Sequence, residues 1–163
     1  MPTLRTTTRW SRSRGRNRDA ARWDPVASKH GWSDGDMLPL GRIGIRAERG
    51  EPRDSRLTPA ERITLMTLWI IARSPLMIGR DLPSSSPETI ALFTNPDVLA
   101  VLGSRGAREV FREGDLALWT TDGPNASSGW VAAFILGSEP LTVALARNAW
   151  RTRRRRTGTA IRS

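Results

Sequence analysis

The stretch Thr58–Gly79 constrains the fold more than any other part of the sequence. Thr58-Pro59-Ala60-Glu61 is a capping box: a hydroxyl for an orphan N–H, proline at the first helical position, and glutamate three residues after the cap. The helix it opens is predicted to run to about Arg73. Its Ile63, Leu65, Met66, Leu68, Trp69, Ile70 and Ile71 wrap more than one face, so other layers must bury it. Ser74-Pro75 ends it, because a residue before proline avoids the helical region. Leu76-Met77-Ile78-Gly79 is a short apolar run between breakers, the mark of a strand buried on both faces, and Asp81 follows at its C-terminal end. Ser86-Pro87-Glu88 opens a second helix that carries Ile90, Leu92 and Phe93 to Asn95-Pro96, and Asp97–Leu102 extends it by a turn or two. Helix, buried strand and helix together indicate an α/β arrangement around a parallel sheet.

After Gly103 the period changes. Glu109–Arg112, Leu116–Thr121, Gly129–Phe134 and Leu141–Leu145 are four short strand candidates separated by Gly-, Asp- and Pro-containing turns. They predict an antiparallel meander, the start of a β-sandwich, which ordinarily has about seven strands. The expected fold class is therefore α/β followed by all-β. Upstream, residues 30–50 read as a Gly- and Pro-punctuated loop, and the polar run to Arg56 as a surface excursion. Residues 1–29 have little apolar periodicity; Trp10 and Trp23 stand among arginines, and a short helix around Asp19–Trp23 is the one element expected there.

Length and charge narrow the function classes. A chain of 163 residues can build one ordinary domain but not a closed eight-unit barrel, which takes about 200 or more. The net charge of +10 lies entirely at the ends. Residues 1–29 carry seven Arg and one Lys against two Asp, residues 147–163 carry seven Arg and no acid, and residues 30–146 carry eleven Arg against fourteen acids. The central region is thus mildly acidic, which argues against nucleic acid as its partner. Basic terminal arms that bind nucleic acid are the alternative reading, with affinity falling steeply as salt rises. Arginine supplies 25 of 26 basic residues, as a GC-rich or frame-shifted coding sequence would give. The chain has no cysteine, no apolar run near the ~18 residues of a membrane helix, and no secretory leader pattern, so a cytoplasmic location and no membrane partner are expected.

His30 is the only histidine, so no metal site is expected. Asp34 and Asp36 are the acidic pair of interest. In extended backbone, residues two apart point to one side, so the two carboxylates would lie close together. Yet neighbours on one loop do not face each other across a ligand. Asp34 also reads as a turn or capping carboxylate. Trp32 suits either packing or stacking on a ligand ring, Asp81 either a structural hydrogen bond or a strand-end functional group, and Trp69 and Trp119 the core.

Three ordered segments resemble family 27 glycoside hydrolases, the α-galactosidases. Trp32-Ser33-Asp34-Gly35-Asp36-Met37-Leu38 is similar to the family's W-x-D-x-D-M-L loop. Leu68-Trp69 through Ser74-Pro75-Leu76-Met77-Ile78-Gly79 and Asp81-Leu82 is similar to its L-W-x(4)-S-P-L-x-x-G-x-D-L stretch. Ser86-Pro87-Glu88-Thr89 through Thr94-Asn95 and Asp97–Val101 is similar to the helix that follows. The resemblance implies the last units of a (β/α)8 barrel over 30–103 and a partial C-terminal β-sandwich over 104–146, between a basic, poorly structured segment at 1–29 and an Arg-rich tail at 147–163. It implies hydrolysis of terminal α-galactosides by two aspartates, without metal or organic cofactor, and makes Trp32, Asp34, Asp36 and Met37 the candidate substrate-binding residues.

The departures are as informative. No K-Y-D-type nucleophile motif and no W-R-x-x-x-D acid/base motif precedes Trp32, and Leu102-Gly103 replaces the expected Asn-Gln. No residue is assigned a catalytic role. The expectation is a C-terminal fragment, inactive alone, with both ends disturbed in frame.

Overall fold

The computed structural model describes residues 18–23, 32–44, 51–125, 127–137 and 139–144. Helix α1, Pro59–Ile71, begins at the anticipated capping box: Thr58 Oγ1 accepts from the Glu61 N–H at 3.3 Å, and Glu61 Oε2 accepts from the Thr58 N–H at 2.7 Å. Leu65 and Met66, then Leu68 to Ala72 without a break, are buried, so the helix is enclosed from more than one side. It closes in a Schellman motif. Arg73 takes the left-handed position with φ 60°, its N–H donating to the Ile70 carbonyl and the Ser74 N–H donating to that of Trp69.

Helix α2, Pro87–Thr94, is capped by Ser86 and buries Thr89 and Phe93. Asn95 ends it and caps α3, Pro96–Leu102, its Oδ1 accepting from the N–H groups of Asp97 and Val98. Proline at 96 can only start a helix, so the second helical region divides there.

Before α1, residues 38–42 lie beside residues 77–81. Leu38 and Ile78 form a parallel bridge, the Leu38 N–H donates to the Met77 carbonyl at 2.8 Å, and the Asp81 N–H donates to that of Arg42 at 3.2 Å. This corrects the reading of Leu76–Gly79 as a strand buried on both faces. A single parallel bridge is its whole pairing among the described residues, Met77 is half exposed, and Leu76 and Ile78 are only partly covered. Both faces of a strand are buried only when other layers pack against each of them, and here Met77 remains half exposed. Two short strands, β1 (Arg42–Ile43) and β2 (Arg53–Asp54), pair antiparallel at the rim.

The C-terminal part is an antiparallel meander of β3 (Arg105–Glu113), β4 (Leu116–Asp122) and β5 (Gly129–Ile135), in the order β3-β4-β5. Gly114, at φ 53°, turns β3 into β4. A register shift between Glu109 and Phe111 sets Glu109 opposite Trp119 and Arg112 opposite Ala117. Buried Glu109 and Arg112 thereby come together as an ion pair, with Arg112 Nε 3.1 Å from Glu109 Oε1. The fourth strand expected at Leu141–Leu145 is not formed: residues 141–144 have no regular structure and Leu141 is exposed. Leu145 lies outside the described residues.

One core joins the two halves. Leu38, Leu40, Leu65, Leu68, Trp69 and Phe93 pack in the same cluster as Ala117, Trp119, Ala132, Phe134 and Leu136. Trp69 and Trp119 are both fully buried, as read from the sequence. The helices precede the antiparallel meander; the described elements are three helices, a helical stretch over 18–23 and two small antiparallel sheets. None of the described helices is long and apolar enough to cross a membrane. The expectations for residues 1–17 and 147–163, and His30, lie outside the described residues.

Candidate functional site

The loop at 32–37 is held by its own acids and by the end of α1. Asp34 Oδ1 accepts from the Asp36 N–H at 2.8 Å, an Asx turn, and Asp36 Oδ1 accepts from the Met37 N–H at 2.7 Å. Asp36 adopts φ 67°, a left-handed conformation that aspartate tolerates better than most residues. The extended geometry expected for Asp34–Asp36 is thus replaced by a turn. Asp34 is the turn carboxylate that was its alternative reading, and the two acids are not simple two-apart neighbours on one side of a strand.

Two bonds tie this turn to the helix. The Gly35 N–H donates to Ser74 Oγ at 2.7 Å, and Trp69 Nε1 donates to the Asp36 carbonyl at 3.1 Å. Gly35 lies against the Trp69 ring: a Cβ there would meet ring carbons at 2.5 and 2.6 Å. Trp69 therefore sets the position of the acidic turn through both packing and hydrogen bonding.

A cavity of about 360 Å³ opens beside the turn. Its lining includes Ser33, Asp34 and Asp36 from the turn, Leu68, Trp69 and Ser74 from α1 and its end, and Asp19, Ala20 and Trp23 from the helical stretch 18–23. Its size is at the lower end of small-molecule cavities, about 300–1,000 Å³. Of the four candidate substrate-binding residues, Asp34 and Asp36 are brought to this cavity. Trp32 and Met37 are outside its lining and more than half exposed, with Met37 against Gly79. Asp81 makes backbone bonds, its N–H donating to Arg42 and its carbonyl accepting from Ser85 Oγ at 2.6 Å. Sequence reading passed over Trp23 and Asp19. The short helix expected around them was the available signal, but nothing in the pattern tied it to residues 33–36.

Near the strand pair, Arg80 Nη1 donates to the Leu40 carbonyl at 2.7 Å and its guanidinium lies 4.3 Å from the Phe93 ring centroid. Burial, and then the neighbouring Arg62, lower its proton affinity. Among the described residues no cluster of three or more His, Cys, Asp or Glu could hold a metal ion.

No protein-family model matches the sequence. Alpha-galactosidase 2 of Arabidopsis thaliana is 35% identical over 102 residues, covering 60% of this chain and 22% of the plant protein. Human alpha-galactosidase A is 32% identical over 115 residues, covering 68% and 23%. The crystal structure of a family 27 β-L-arabinopyranosidase from Geobacillus stearothermophilus superposes with a TM-score of 0.71 at 40% identity, over 80% of this chain and 31% of that one. The folded part of this chain is accordingly that of a glycoside hydrolase segment. The relationship is to family 27, the α-galactosidase family, and the chain spans about a quarter of the length of the curated relatives it matches.

Proposed function

We propose that this chain is a partial family 27 glycosidase: the last units of a (β/α)8 barrel over residues 30–103 followed by the first strands of a β-sandwich over 104–146. The parallel bridge between Leu38 and Ile78 and the β3-β4-β5 meander support that division. The activity of the intact form would be hydrolysis of terminal α-galactosides. The turn at 33–36 would be the part of the sugar site this chain retains, and a galactoside or a similar pyranose its small-molecule partner.

Alone, the chain is proposed to be inactive. A retaining glycosidase sets two carboxyl groups about 5–5.5 Å apart on opposite sides of the scissile bond, one as nucleophile and one as acid and base. Asp34 and Asp36 belong to one turn, and each commits an oxygen to an N–H of that turn. This shared turn is the observation that carries the proposal, since one wall cannot supply both an attacking oxygen and a proton donor across from it. The test is purified chain with p-nitrophenyl α-D-galactopyranoside. The expected release of p-nitrophenol equals the uncatalysed rate. Turnover near the typical ~10 s⁻¹ of enzymes, abolished by Asp36→Ala, would refute it.

A further inference from the structure

We infer that the helical stretch 18–23 is part of the sugar site, with the Trp23 indole as the platform on which the apolar face of a galacto-configured pyranose rests. The inference rests on the reading of the 33–36 turn as a sugar-contacting loop, and assigns a further part of the lining of the same cavity.

Trp23 is a large aromatic left 57% exposed, yet it is not on a free-swinging segment. Ala21, two residues away, is 5% exposed and belongs to the core, and Asp19 and Arg22 form an i,i+3 ion pair at 3.8 Å. The stretch is thus anchored by its inner side, with the indole at the cavity. An indole presents a flat apolar face with a negative quadrupole. That face suits the polarised C–H bonds on one side of a pyranose.

The turn at 33–36 brings polar groups to the same cavity. Asp34 and Asp36 each use Oδ1 within the turn, and among the described residues the second oxygen of each has no hydrogen-bond partner. Carboxylate oxygens accept from sugar hydroxyls, and charged acceptors make the stronger hydrogen bonds. Asp19 brings a third carboxylate, and among the described residues no Lys or Arg lines the cavity, which disfavours an anionic ligand. A volume of about 360 Å³ fits one ring rather than an oligosaccharide. The relatives act on galactosides and on a β-L-arabinopyranoside. These two sugars share a ring configuration and differ by the exocyclic CH₂OH group. The platform should therefore hold both and prefer the galactoside, which offers more C–H surface.

The experiment is an NMR titration of the ¹⁵N-labelled full chain, following the indole N–H signals. Methyl α-D-galactopyranoside, methyl β-L-arabinopyranoside and choline are the three probes. The galactoside is expected to shift the Trp23 signal saturably, with the arabinoside weaker. Trp23→Ala should weaken galactoside binding by about fivefold or more, and Trp23→Phe by less. Leu141→Ala, at an exposed residue outside the cavity lining, should leave it within about twofold. Because Trp23 is exposed, circular dichroism of Trp23→Ala should match the parent. Undiminished binding by Trp23→Ala overturns the platform while leaving the 33–36 turn as a sugar contact. No saturable shift with either sugar at about 100 mM overturns the sugar-site reading itself. Tighter binding of choline than of the galactoside would show a cation site and overturn the inference.

Discussion

Gly35→Ala probes the contact that positions the acidic turn. Gly35 has no positive φ, so alanine is conformationally admissible there. In open space the change would stabilise the protein by about 0.4–1 kcal/mol, through lost freedom of the unfolded chain. The site is not open: the added methyl would lie 2.5 Å from Trp69 Cε2 and 2.6 Å from Cζ2. Trp69 is 2% exposed within the core and cannot swing aside, so the contact must be relieved by moving the turn. Overpacking of this kind costs about 1–3 kcal/mol, and a net loss of about 1–2 kcal/mol is expected. The clashing Cζ2 belongs to the benzo ring that phenylalanine lacks, and the position of Cε2 is only partly filled by a phenyl edge. Trp69→Phe alone should cost about 2 kcal/mol, through the cavity it leaves and the lost bond from Nε1 to the Asp36 carbonyl. In that background the Gly35→Ala penalty should fall below about 0.5 kcal/mol, a coupling of about 1 kcal/mol or more. Urea unfolding of the four proteins, followed by far-UV circular dichroism, measures the cycle. Strictly additive losses would refute the claim that Trp69 sets the turn by contact with Gly35.

Three further outcomes follow from the described geometry. Arg73 holds a left-handed conformation that costs a residue with a Cβ roughly 1–2 kcal/mol, so Arg73→Gly should raise stability by about 0.5–1 kcal/mol after glycine's extra unfolded-state entropy; an unchanged urea midpoint would count against the strain. Ser86→Ala should cost about 1 kcal/mol by uncapping α2. The hydroxyl of Ser86, and then the backbone N–H of Glu88, hold the Glu88 carboxyl below its ordinary range, so this contribution is present above the unfolded value of about 4.3 and lost as pH falls through the folded one; an NMR titration of Ser86→Ala should show the Glu88 carboxyl rising. Arg112→Met leaves the buried Glu109 carboxylate without its paired guanidinium and should cost about 2–3 kcal/mol by chemical unfolding, somewhat less than a fully enclosed pair because Arg112 retains solvent contact. A loss under about 0.5 kcal/mol would mean that water replaces the arginine.

Much of the fold was legible because its signals are local. The capping box at Thr58–Glu61, the caps at Ser86 and Asn95 and the turn at Gly114 each depend on residues a few positions apart. The turn residues that bounded the strand candidates at β4 and β5 are likewise read from neighbouring positions alone. The misses depend on distant partners. Leu76–Gly79 has the composition of a central strand, but composition does not reveal how many neighbours pair with it. Leu141–Leu145 alternates as a strand does, yet residues 141–144 find no ladder to join. At the site, the motif around Asp34 and Asp36 was readable, whereas their turn geometry depends on Trp69 and Ser74, more than thirty residues later. The sharing of a cavity by Trp23 and Asp36 is tertiary information, and spacing along the chain does not encode it.

The common core has a consequence for anyone who would cut this molecule. Side chains from α1 and from β4 and β5 bury one another in one continuous cluster, so the passage at Gly103 is a change of architecture and not a seam. Excising the sheet would strip Trp69 of its cover, and excising the helices would do the same to Trp119. Heat or denaturant should accordingly release both halves in one transition, and a dissected half should be insoluble rather than a smaller folded module.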